Sequence, residues 1–108
     1  MRINRKRWAL SQRELGQLLG GISRQTVGKF ELGRRTPSLR MVLRYQVIFG
    51  ADPADILPAL YEELEEEVLE GATRLSVDLD GRGEGASLLK RRLLSSIATR
   101  AGARRLRV

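Results

Sequence analysis

Arg24, Gln25 and Lys29 are the side chains of this 108-residue chain whose types and spacing best suit a chemistry, and that chemistry is hydrogen-bond donation. They follow Ser23 at the start of a short amphipathic stretch and lie on its polar side. An arginine fork can bridge O6 and N7 of guanine, and a glutamine amide can bridge N6 and N7 of adenine. The stretch is preceded by Ser11–Leu19 and a Gly20-Gly21 turn, and followed by Gly33-Arg34-Arg35. A second helix held out by a first is the minimal device for placing such donors in a major groove.

Other chemistries are poorly supplied. The chain has no cysteine and no histidine, which removes disulfides, thiolate zinc sites and most acid–base and nucleophilic catalysis. The run Glu62-Glu63-Leu64-Glu65-Glu66-Glu67 suggests metal-binding carboxylates at first sight. Adjacent glutamates on one helix point in different directions, so a solvated helix face is the better reading. We therefore expect no catalytic residue, no metal and no cofactor.

Charge is arranged in blocks. Residues 1–50 hold 11 Lys/Arg and 2 Asp/Glu, residues 51–80 hold 1 and 10, and residues 81–108 hold 8 and 1. A basic block suits a polyanion, and an acidic block must face away from it or pair with protein. The N-terminus, MRINRKRWAL, lacks the apolar run of a signal peptide. No stretch approaches the ~18 apolar residues of a membrane span. The expectation is a cytoplasmic, nucleoid-associated protein.

The elements that position the donors read as follows. A basic helix over 2–9 has Ile3 and Trp8 as apolar anchors, with Trp8 a lid on the core. Ser11 and Glu14 form a capping box for a helix to about Leu19, with Leu15, Leu18 and Leu19 on one face. Ser23 caps the next helix, with Val27 and Phe30 inward. Ser38 caps a fourth, whose apolar set is Leu39, Val42, Leu43, Val47 and Ile48, closed by Gly50. Asp52-Pro53 opens a fifth helix running to Gly71, from which Pro58 splits off a single turn. Leu75, Val77 and Leu79 then alternate with polar residues, which predicts a strand. Glycine-rich residues 81–85 connect it to a helix over 86–100. The tail RRLRV predicts a second strand, with Arg104, Arg105 and Arg107 opposite Asp78 and Asp80.

Ser11–Ser38, SQRELGQLLGGISRQTVGKFELGRRTPS, resembles the phage-repressor (Cro/Xre-type) helix-turn-helix family, and the resemblance covers about residues 1–60. It implies that Arg24 and Gln25 occupy the main base-reading positions, flanked by Thr26 and Lys29. It further implies phosphate contacts from Gln12, Ser23, Arg34, Arg35 and Thr36, with Arg2, Lys6 and Arg40 as additional candidates. A structural ion pair between Arg5 and Glu31 follows from the same pattern. The bland alternative is that these polar residues are solvated surface. The chain departs from the family twice. Its turn, Gly20-Gly21-Ile22, is one residue longer, which alters the tilt of the reading helix or lengthens the helix before it. Position 16 is Gly where Ala is usual, a place of close helix packing.

The expected architecture is mainly α. A five-helix, lambda-repressor-like DNA-binding domain spans 1–71, and a small strand-helix(-strand) element for dimerisation or partner binding spans 72–108. The expected function is sequence-specific regulation of transcription on double-stranded DNA, by a homodimeric repressor reading a palindromic operator through residues 23–32. The alternative is the antitoxin of a toxin–antitoxin pair, binding its own operator and a toxin through 72–108. A third reading, a protein-interaction module with an acidic partner, would show no salt-dependent duplex binding.

Overall fold

The computed structural model describes residues 1–82 and 87–106. Seven helices account for their regular structure: α1 (Arg2–Arg7), α2 (Gln12–Leu18), α3 (Arg24–Glu31), α4 (Leu39–Phe49), α5 (Pro53–Ile56), α6 (Pro58–Gly81) and α7 (Leu88–Arg105). They fall into two compact units, Met1–Ala59 and Leu60–Val108.

In the first unit, serine caps set the helix starts. Ser11, Ser23 and Ser38 each adopt extended backbone and accept a hydrogen bond from the amide three residues on, satisfying an otherwise orphan donor. Leu15 and Leu19 of α2, Val27 and Phe30 of α3, and Met41, Val42 and Tyr45 of α4 close around Ile56 of α5. Gly50 ends α4 in the left-handed region at φ 64°. Leu57 interrupts the chain between α5 and α6, so Pro58 does separate one short turn from a long helix.

Several expectations for this unit are corrected. Ile3 and Trp8 are exposed, and Arg5 is the buried residue of α1. Leu18, Leu39, Leu43 and Val47 are exposed as well. Helix α4 is apolar on more than one side, so periodicity alone could not select its inner face. Packing turned Met41 and Tyr45 inward.

The second unit overturns the strand element. Residues 75–79 lie inside α6, and there is no strand among the described residues. Alternation would hide Leu75, Val77 and Leu79 together, yet Val77 is 67% exposed while Leu79 is fully buried. The operative spacing is Leu64, Val68, Leu75 and Leu79, which is helical. Gly71 does not end the helix, since a lone interior glycine costs only about 1 kcal/mol. The tail is corrected too: α7 continues to Arg105, and Arg107 and Val108 lie outside the described residues.

The opposite charges expected on facing strands instead join two antiparallel helices. Arg104 donates from Nε to Glu65 Oε2 at 2.7 Å and from Nη2 to Oε1 at 2.5 Å. Its guanidinium also lies 5.0 Å from the centre of the Tyr61 ring. Arg91 reaches Asp80 at 2.9 Å. The acidic run is thus not all solvated: Glu65 is held by Arg104 and Arg105.

Candidate nucleic-acid interface

The approach to α3 is built by α2 and its turn. Ser11 Oγ accepts from the Glu14 amide at 3.0 Å, and Glu14 accepts from the Ser11 amide at 2.8 Å. This capping box starts α2 at Gln12. At the other end, the Gly21 amide donates to Gly16 O at 3.0 Å and the Gly20 amide to Gln17 O at 3.3 Å. That is a Schellman closure, and Gly20 takes its left-handed position at φ 99°. The residue added to the turn becomes a second left-handed glycine, Gly21 at φ 88°. It lets the Ile22 amide share the Gly16 carbonyl at 3.1 Å.

Ile22 then lies directly over Gly16. A Cβ at position 16 would stand 2.3 Å from the Ile22 carbonyl oxygen. The two departures from the family pattern are therefore linked. With this turn, even alanine at 16 has no room, and glycine is a steric requirement.

Helix α3 presents two faces. Val27 and Phe30 are buried against the core, while Arg24, Gln25 and Lys29 are exposed. Ser23 Oγ accepts from the Thr26 amide at 3.2 Å and shares a hydrogen bond with Thr26 Oγ1 at 3.0 Å. Thr26 is half-buried, and its hydroxyl is tied to the cap rather than pointing out with its neighbours.

The orientation of α3 is held by a buried charge cluster. Arg5 donates from Nε to Glu31 Oε2 at 2.7 Å, from Nη2 to Glu31 Oε1 at 3.1 Å, and from Nη1 to Leu10 O at 2.9 Å. Gln12 Nε2 donates to Glu31 Oε1 at 3.0 Å. Burial pushes the Glu31 carboxyl up, but the hydrogen bonds from Arg5 and Gln12 and the charges of Arg5 and Arg2 outweigh it, so the group sits below its ordinary value. One carboxylate thus joins α1, α2 and α3. Gln12 spends one amide N–H on this cluster and keeps the second N–H for an outside acceptor.

The exit loop is equally defined. The Arg34 amide donates to Lys29 O at 2.9 Å and the Gly33 amide to Phe30 O at 3.1 Å, with Gly33 at φ 70°. Arg34, Arg35 and Thr36 leave this second Schellman turn exposed. The Arg35 guanidinium stands 5.8 Å from the centre of the Phe30 ring. A surface groove brings Ser23 and Thr26 together with Arg35 and Thr36. Lys6 on α1 and Arg40 in the first turn of α4 are exposed on separate helices, as is Arg2.

Two residues escaped the sequence reading. Exposed Arg13 borders a groove with Gln17, Gly21 and Arg24, adding a cation beside the start of α3. Its place in the first turn of α2, next to Gln12, was the available signal. Arg44 Nη1 donates to Leu19 O at 3.0 Å, which satisfies a carbonyl at the end of α2. A contact spanning 25 residues has no local sequence signal.

A helix packed on one face, with free donors on the other and a basic exit loop, defines the class of helix-turn-helix DNA-binding proteins. Residues 2–56, just over half of the chain, match the family model described as Helix-turn-helix. The chain belongs to this Cro/Xre-type family and is a DNA-binding transcription regulator. No curated protein and no solved structure matches it. Among the described residues, no helix is long and apolar enough to cross a membrane.

Proposed function

We propose that the chain is a homodimeric repressor that reads a palindromic operator by inserting α3 into the major groove of each half-site. The supporting observation is the arrangement of α3: Arg24, Gln25 and Lys29 are exposed while Val27 and Phe30 lock the opposite side into the core. Arg24 and Gln25 read bases, with Lys29 beside them and Thr26 limited to its tip. Arg34, Arg35 and Arg13 neutralise phosphates on either side, and Thr36 donates a hydroxyl hydrogen bond to one. Gln12 and Ser23 approach the backbone at helix starts, where the amide ends favour an anion. Lys6 and Arg40 contribute longer-range attraction. Dimerisation falls to the C-terminal part of the chain. The protein then acts in the cytoplasm, on the nucleoid.

Selection of bound sequences from random duplex DNA tests the whole reading, and a symmetric motif with half-sites one turn apart is the expected result. Arg24→Ala should cost about 1–3 kcal/mol and relax preference at one base position. Arg35→Ala should weaken binding to all sequences alike and lower the salt slope by about one unit. Equal loss on operator and random DNA for Arg24→Ala would remove the base-reading role.

A further inference from the structure

The α6–α7 hairpin has one apolar side. A groove of about 340 Å³ there is lined by Leu64 and Val68 of α6 and by Ile97, Arg100 and Ala101 of α7. The groove on the opposite side is mixed, with Thr73, Ser76, Arg91 and Ser95 beside Leu69 and Leu94. Leu64 and Val68 are about half exposed, and Leu75 is 39% exposed on the same helical face. On α7, Leu93 precedes Ile97 by one turn and is 57% exposed, with Leu89 one turn further back at 72%. A contiguous exposed apolar face of this kind marks an interaction site.

Charge says what covers it. Between Pro58 and Gly81, α6 carries eight carboxylates and one arginine; between Leu88 and Arg105, α7 carries six basic residues and no acidic one. Glu65 and Asp80 are used inside the hairpin by Arg104 and Arg91. Glu67, Arg74 and Asp78 lie on the outer flank of the α6 stripe, with Asp78 already bonded to Arg82 at 2.7 Å. Arg92 flanks the α7 stripe, and Arg100 lines the groove itself. A second hairpin of the same sequence offers a basic flank to the acidic one and an acidic flank to the basic one.

We infer that two chains pair through this face, with α6 of each copy lying antiparallel to α7 of the other in a four-helix bundle. The inference rests on the dimeric reading above and names its surface. Two-fold symmetry permits two face-to-face arrangements. An axis across the helices would stack α6 on α6, setting carboxylates against carboxylates, which is disfavoured. An axis along the helices sets α6 on α7 and keeps the heights of the single hairpin. In that hairpin Glu65 is level with Arg104 and Asp80 with Arg91. Glu67 therefore comes within reach of Arg100 of a second copy. The same axis leaves both α6 N-termini at one end of the bundle.

Sedimentation equilibrium of the full chain without DNA tests this. The wild type should have the mass of two chains, and Val68→Glu the mass of one, with its helical circular dichroism retained. Glu67→Arg and Arg100→Glu should each weaken the dimer roughly tenfold, the pair occurring twice by symmetry. Glu67→Arg combined with Arg100→Glu should restore it. A wild type of single-chain mass at every concentration would assign the face to some other partner and overturn the inference. A Val68→Glu chain that stays folded and dimeric would also overturn it. Failure of the double variant to recover would do the same, and this charge exchange decides the matter if Val68→Glu does not fold. A dimer of the expected behaviour that shows no preference for symmetric DNA would sink the operator reading alone.

Discussion

In Met1–Ala59, the side chains of Leu15, Leu19, Val27 and Tyr45 are withdrawn completely from solvent; among the described residues of Leu60–Val108, only Leu79 and Ala101 are buried. Each unit has an arginine–glutamate pair, and the pairs differ in the same way. Arg5 and Glu31 are 11% and 2% exposed at the side chain, Arg104 and Glu65 27% and 11%. The first unit buries enough apolar surface to hold its own shape, and its ion pair can be spent on orienting α3. The second is a two-helix hairpin fastened by charge, with its apolar side left over. What differs is which surface each unit has finished burying. The helix-turn-helix unit closes its core within one chain, whereas the hairpin leaves Leu64, Val68 and Leu93 exposed.

The hardest blow to this contrast is Glu31→Ala. It leaves the Arg5 guanidinium buried and unpaired, which should cost about 3–5 kcal/mol. Denaturant unfolding of the two variants side by side should show a far smaller loss for Glu65→Ala, whose partners are nearer to solvent. Comparable losses would break the contrast.

Gly16→Ala comes next. Its methyl must displace the Ile22 carbonyl, and about 1–3 kcal/mol of overpacking is expected, in spite of alanine's better helix propensity. A stabilised variant would show that the lengthened turn yields freely.

Acid titration sharpens the comparison. Both carboxyls lie below the ordinary value of 4.5: Glu31 for the reasons given, and Glu65 at about 2, chiefly through the hydrogen bond from Arg104. A depressed folded value means that the contribution is fully present above the unfolded value and lost as pH falls through the folded one. These two carboxyls therefore add no pH dependence near neutrality, and their stabilisation declines below about pH 4.5. The Glu65 contribution should persist until the pH approaches 2. Following the two carboxyl carbons by NMR checks each one separately.

The smallest effect is expected at Ala9, a non-glycine residue at φ 57°. Ala9→Gly relieves a left-handed strain of about 1–2 kcal/mol, part of which is returned as unfolded-state entropy. A modest rise in midpoint temperature is the expected readout, and a fall would show that the strain is compensated.

Much of the first unit was legible because its signals are local. Ser11, Ser23 and Ser38 cap by contacts three residues long, and the glycines at 20, 33 and 50 end helices at positive φ. The Arg5–Glu31 pair came from the family pattern, not from spacing. The C-terminal strand was misread because Leu75, Val77 and Leu79 fit period two over five residues. The helical stripe that takes in Leu75 and Leu79 begins at Leu64, well before that stretch, and leaves Val77 outside it. For Gln12 the sequence suggests a phosphate contact and carries no sign of the hydrogen bond its amide donates to Glu31.

By itself the sequence determined the caps, the glycine turns and the alternation of basic and acidic blocks, because each depends on a few neighbouring residues or on composition. Tertiary structure decided the inner face of α4, the loss of Trp8 from the core, the fit of Gly16 beneath Ile22, and the joining of the acidic helix to the basic one by Glu65 and Arg104. Those outcomes depend on which distant surfaces compete for burial, and no local pattern carries that information.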